Sequence, residues 1–146
     1  MNIKRIGKHS LPLPERTKAR DFGYDLRTTQ SVMLEPGKRV TLPTGFAYEF
    51  LADQGAQIWP RSGLADQYGI DVLAGLVDGG YQGEVKVILI NHGPERLEIK
   101  AGDRIAQMVI VTRVSPSFFG TELVEVAEFN TASDRGAGGF GHTGLV

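Results

Sequence analysis

The chain has 146 residues, of which 41% are hydrophobic and 23% charged, the profile of one globular domain with a real core rather than of a disordered chain. With 16 Lys and Arg against 17 Asp and Glu, it lacks the cationic footprint that duplex DNA or an anionic membrane selects, so neither is expected as a direct partner. The absence of cysteine excludes disulfides, thiolate chemistry and Cys-ligated zinc.

The N-terminal "MNIKRIGKHS" carries charges with no apolar run behind them, so it does not read as a secretory signal. No stretch approaches the roughly 18 apolar residues of a spanning helix, and the expectation is an intracellular, cytoplasmic protein. "FGYDLRT" (22–28) reads as a short strand. In "LEPGKRVTLPTGFAYEF" (34–50), Pro36-Gly37 marks a turn between two short strands. "RSGLADQYG" (61–69) predicts a helix of about two turns, with Ser62 as N-cap and Gly69 as C-cap. The free N–H groups behind Arg61 and Ser62 suit an anion, although a capped connector has the same sequence. "EVKVILIN" (84–91), "GDRIAQMVIVTRV" (102–114) and "TELVEVAEF" (121–129) alternate with the period of two that marks strands. From residue 130 the composition turns to Asn, Thr, Ser, Asp, Arg and Gly, the signature of a tail. Many short strands with almost no helical period predict an all-β sandwich, jelly roll or barrel.

Four features are candidates for chemistry. In "GLVDGGYQGEVKV" (75–87), Asp78 falls where a strand breaks into a turn, a place that holds a carboxylate in a cleft or simply makes a hairpin. Asp25 lies in a strand and could equally face solvent. Arg61, Ser62, Arg104, Gln107 and Arg135 form a donor set suited to phosphate oxygens. No P-loop is present, and His9, His92 and His142 are scattered, so neither a Walker mechanism nor a Ser/His/Asp triad can be built. The terminal "RGAGGFGHTG" (135–144) matches G-x-G-x-x-G, but no helix can follow it, which removes the dinucleotide reading.

Five segments, "ARDFGYDLRT" (19–28), "PRSGLADQYGI" (60–70), "AGLVDGGYQGEVKVILIN" (74–91), "AGDRIAQMVI" (101–110) and "RGAGGFGHTG" (135–144), resemble in order and spacing the five motifs of the trimeric dUTP diphosphatases. The resemblance implies a distorted β-barrel or jelly roll with one short helix near 62–68, a single β domain over 1–130 and a flexible tail over 131–146 carrying the fifth motif. It implies a homotrimer whose active sites are each built from three chains, and cleavage of dUTP to dUMP and pyrophosphate.

By the same resemblance Asp78 is the catalytic residue, activating a water for in-line attack on the α-phosphorus. Arg61, Ser62, Gly63 and Gln107 bind phosphates, Val72 to Leu76 form the hairpin that reads uracil through its backbone, and Tyr81 packs on deoxyribose. Mg²⁺ chelated by the triphosphate is the implied cofactor, with Asp25 and Gln107 touching its waters. In the tail, Arg135 meets the γ-phosphate, Phe140 stacks on uracil, and Gly141, His142 and Thr143 donate to phosphate. Two positions depart from the family pattern: Phe22 stands where a small residue is usual, and His142 where Ser or Thr is usual. The alternatives are a dCTP deaminase, which shares the fold, and a dUTP-sensing module with a regulatory protein partner.

Overall fold

The computed structural model describes residues 1–112 together with Glu125 and Ala127. Its strands are β1 (Asn2–Arg5), β2 (Tyr24–Arg27), β3 (Val32–Leu34), β4 (Arg39–Glu49), β5 (Gln54–Trp59), β6 (Ile70–Leu73), β7 (Leu76–Val77), β8 (Glu84–Asn91), β9 (Leu97–Ile99) and β10 (Arg104–Thr112), with one helix, α1 (Ser62–Tyr68). Two four-stranded sheets, in the orders β1-β4-β8-β6 and β2-β10-β5-β7, pack together, and β3 pairs with β9. Every pairing is antiparallel. This is the all-β architecture that the alternation predicts, with the single helix where Ser62 and Gly69 place it.

Alternation decides which side chains form the core. Along β8, Val85, Val87 and Leu89 are buried while Lys86 between them is exposed. On the facing sheet Ala56, Ile58, Leu26, Ala106 and Met108 point inward, whereas Gln57 and Trp59 of β5 point out. Fully burying an aliphatic side chain of this size is worth about 1.5–3 kcal/mol, so a register slip that turned either row outward is strongly disfavoured.

β4 is eleven residues long, not one of two short strands, and it does not pair with β3 across the Pro36-Gly37 turn. It serves two partners in succession. Pro43 pairs with Lys86, but Ala47 pairs with Glu84, so four steps along β4 match two along β8. The bulge absorbs a proline that has no N–H for the ladder. Side chains satisfy the groups it frees: the Thr44 hydroxyl donates to Val85 O at 2.6 Å, and the Glu84 carboxylate accepts from Gly45 N–H at 2.8 Å. Beyond the bulge β4 continues beside β1.

α1 begins one residue earlier in its capping than the sequence suggests. Arg61 holds the N-cap position with extended backbone and no side-chain cap bond, and Ser62 is the first helical residue. Gly69 ends the helix in the left-handed region, φ 68°, returning its N–H to Ala65 O and Leu64 O. Apart from Glu125 and Ala127, the strand expected over 121–129 lies outside the described residues, as does the boundary near 130.

Candidate active site

β6 belongs to one sheet and β7 to the other, so the two residues between them, Ala74 and Gly75, carry the chain across the barrel. Both have positive φ, 60° and 121°. Ala74 is the one non-glycine residue with positive φ among the described residues, a cost of about 1–2 kcal/mol for an L-residue. Gly75 cannot be replaced without strain: its carbonyl accepts from Ile58 N–H at 2.7 Å, and a Cβ would sit 2.8 Å from Ile58 O. The turn is thus pressed onto β5, and strain of this kind concentrates at functional sites.

Beneath it lies a cavity of about 330 Å³ lined by Val72, Ala74, Leu76, Asp78, Tyr81 and Ile88, among others. Its walls are mostly aliphatic, and its backbone-rich edge comes from the turn. Asp78 follows β7 directly, and its carbonyl accepts from Tyr81 N–H at 3.0 Å, closing the turn that brings Tyr81 to the same cavity. The Tyr81 hydroxyl donates to Glu84 O at 2.9 Å. A second cavity, about 580 Å³, opens on the other side of the same segment and is also lined by Leu76, Val77 and Asp78. Asp78 therefore stands on the ridge between two spaces.

A charged cluster forms elsewhere. Asp25, on β2, is paired with Gln107 of β10 and is only 8% exposed, so the solvent-facing alternative is wrong. Its Oδ2 accepts from Thr17 Oγ1 at 3.1 Å and from Arg104 Nη1 at 3.2 Å. Its Oδ1 lies 3.6 Å from Arg61 Nε, and neither of those two buried atoms has a hydrogen bond among the described residues. Arg61 Nη1 reaches Arg104 O at 3.2 Å. Arg61, Arg104 and Arg27 line a cavity of about 380 Å³ together with Glu98 and Asp103, and Ser62 and Gly63 start α1 immediately after Arg61.

The expected residues thus fall into two groups. Val72, Leu76, Asp78 and Tyr81 share one cavity, and Asp25, Arg61 and Gln107 share the outer face around β2, β10 and β5. The groups do not meet within one chain. Val77 pairs with Ala56 and Gln107 with Trp59, on opposite edges of β5, which at the usual strand rise and spacing separates them by about 14 Å. Arg135, Phe140, Gly141, His142 and Thr143 lie outside the described residues. Thr17 joins the second group without any mark in the sequence, because nothing in its local pattern distinguishes it from an ordinary loop residue, whereas the strained Ala74 and Glu84 fall inside the 74–91 motif. Phe22, the departure beside Gly23, is 85% exposed.

A carboxylate at the lip of a base-sized apolar cavity, with a guanidinium cluster held apart from it on the same barrel, is the division of labour of an all-β nucleotide phosphohydrolase. The dUTPase family model matches residues 9–144, and the chain belongs to the dUTPase family. It is 42% identical over 146 residues to a deoxyuridine 5'-triphosphate nucleotidohydrolase of Nautilia profundicola, covering 99% of this chain and 98% of that one. A protein of the same name from Ehrlichia canis is 43% identical over 149 residues, covering 99% and 95%. Among solved structures, the Staphylococcus bacteriophage 80alpha dUTPase with dUPNHPP superposes with a TM-score of 0.84 at 26% identity, covering 99% of this chain and 98% of that one.

Proposed function

We propose that the protein hydrolyses dUTP to dUMP and pyrophosphate, with Asp78 as the base. The observation that carries this reading is the position of Asp78, beside a cavity of about 330 Å³ that the Ala74-Gly75 turn also lines. That volume lies at the lower end of the roughly 300–1,000 Å³ of small-molecule pockets, sized for a base and sugar with the phosphates emerging. Uracil presents an N3 donor beside an O4 acceptor, and cytosine reverses both. A fixed backbone edge such as Val72 to Leu76 pairs with one and leaves buried groups unpaired with the other. Tyr81, across the cavity, limits space at the sugar, where a 2'-hydroxyl would collide with its ring.

In the reaction, the Asp78 carboxylate orients a water and takes its proton as the oxygen attacks the α-phosphorus in line, and pyrophosphate leaves. Arg61, Ser62 and the N–H of Gly63 hold the departing phosphates and stabilise the charge that develops on them. The donor set fits Mg²⁺ carried in by the triphosphate: Asp25 Oδ1 is an acceptor without a hydrogen bond among the described residues, and Gln107 adjoins Asp25 on the same face, so both are suited to waters of the ion. Mg²⁺ bound there supplies charge neutralisation at the phosphates.

The backbone separation of about 14 Å between Val77, next to Asp78, and Gln107 supports an active site shared between chains. On this reading a triphosphate whose α-phosphorus lies at Asp78 meets Arg61 and Gln107 of a neighbouring copy, as in a homotrimer with shared sites. The tail residues Arg135, Phe140, Gly141, His142 and Thr143 complete this reading as γ-phosphate and uracil contacts.

The test is a substrate panel of dUTP, dCTP, dTTP and UTP with pyrophosphate as the readout. Release from dUTP at least about a hundredfold faster than from the others is expected, the discrimination that unpaired buried groups provide. Ammonia from dCTP without pyrophosphate from dUTP would overturn the proposal in favour of a deaminase.

A further inference from the structure

Asp25 is held asymmetrically. Both of its hydrogen-bond donors, Thr17 Oγ1 at 3.1 Å and Arg104 Nη1 at 3.2 Å, gather on Oδ2. Among the described residues Oδ1 has none, nor has Arg61 Nε opposite it at 3.6 Å. Two guanidinium groups therefore share one carboxylate: Arg104 hydrogen-bonds Oδ2, and Arg61 stays at ion-pair distance from Oδ1. The reason is local: the register of β10 against β2 shifts between Arg104 and Ala106, and a bulge re-aims the side chains beside it. Thr17, on the segment before β2, donates to the same oxygen and accepts from Arg104 Nη1 at 3.5 Å.

We propose that Arg104 is a positioning residue for phosphate binding: by sharing the Asp25 carboxylate with Arg61 it keeps Arg61 and Asp25 from forming a tight, self-neutralising pair, and so leaves one net positive charge among the three side chains for the substrate. The inference rests on the reading of Arg61 as a phosphate ligand given above. The charge count for the three side chains is two cations against one anion, and both cations line the same polar cavity. Without Arg104 the remaining pair is neutral, Asp25 has Arg61 as its one cationic partner, and the 3.6 Å gap closes to a charge-assisted bond that faces Arg61 away from solvent. Arg27, the third cation lining that cavity, donates from Nη1 to Gly102 O at 2.8 Å, so it is engaged away from Asp25, and Glu98, also on the rim, pairs with Lys100 at 3.8 Å.

The experiment is a charge ladder of ligands on the full protein: deoxyuridine, dUMP and a non-hydrolysable imido analogue of dUTP, measured by calorimetry at fixed Mg²⁺ and ionic strength. In the unsubstituted protein affinity rises along the ladder. Arg104→Gln is expected to leave deoxyuridine binding unchanged and to weaken the triphosphate analogue at least about tenfold, the scale of one charge-assisted contact. Arg104→Lys, which restores the charge, is expected to recover most of the ladder. Equal weakening of all three ligands in Arg104→Gln, or an unchanged ladder, overturns the inference. Should Arg104→Gln fail to fold, loss of the ladder in folded Arg104→Lys overturns it equally. If the unsubstituted protein itself binds the analogue no better than deoxyuridine, it is the underlying reading of the site that fails.

Discussion

Replacing Gly75 by alanine tests whether the strained turn is what holds the base-reading edge against β5. Three effects combine at this position. A φ of 121° is a region that L-residues rarely adopt, at about 1–3 kcal/mol. The added Cβ would sit 2.8 Å from Ile58 O, and moving the turn away weakens the hydrogen bond from Ile58 N–H to Gly75 O at 2.7 Å, a further 0.5–1.5 kcal/mol or so. The expected loss is about 2–4 kcal/mol, a large part of the roughly 5–15 kcal/mol that stabilises a domain.

Gly37→Ala is the control, since Gly37 also has positive φ, 70°, but a Cβ there meets nothing within 4 Å. It should cost only about 1 kcal/mol, the left-handed penalty less the entropy gained in the unfolded chain. Urea unfolding of both variants at one protein concentration separates them, and KM for dUTP should rise in Gly75→Ala alone. A Gly75→Ala variant as stable as Gly37→Ala, with unchanged KM, would refute the claim that contact with β5 sets the turn.

Asp78→Asn should lower kcat by about 10²–10⁴-fold, the usual worth of a general base, while the imido analogue of dUTP still binds; turnover within a few-fold of normal would remove Asp78 from the mechanism. Mixed trimers formed by co-refolding Asp78→Asn with Arg61→Ala should recover activity that neither variant has alone, because some sites then draw both intact residues from different chains, and no recovery would count against sharing. Tyr48 is 3% exposed and its hydroxyl has no partner among the described residues, so Tyr48→Phe should be neutral or stabilising by up to about 1 kcal/mol, and a clear loss would reveal a partner. Burial holds the Tyr48 phenol well above its ordinary value. The folded state keeps that proton more tightly than the unfolded one, so the contribution is fully present below about pH 10 and is lost as pH rises further. Alkaline unfolding of Tyr48→Phe should accordingly begin at higher pH than that of the unsubstituted protein, as followed by circular dichroism.

Period-two alternation makes β8 and most of β10 legible in the amino-acid sequence, because burial of one face requires it. Gly69 is legible as a helix end, since a left-handed C-cap favours glycine. Ser62 stands one position past the true cap: capping serines are common, but here Arg61 takes the extended cap conformation and no side chain bonds across the end. The full length of β4 is hidden, because a proline has no N–H for a ladder, and only the bulge explains how the strand runs through Pro43. Asp25 illustrates the same limit at the site. Its motif marks it as important, but its neighbours Thr17 and Arg104 are 8 and 79 positions away in the chain.

The linear chain by itself determined the all-β class, the short helix, the absence of cysteine chemistry and the set of residues that resemble a dUTP-cleaving site, because these depend on local period, composition and motif order. The tertiary structure alone decided that Asp78 lies between two cavities, that Ala74 and Gly75 are strained against β5, and that Arg104 hydrogen-bonds Asp25 while Arg61 stays at ion-pair distance. Those are outcomes of strand register and bulges, which bring residues together across distances in the chain that no local pattern encodes.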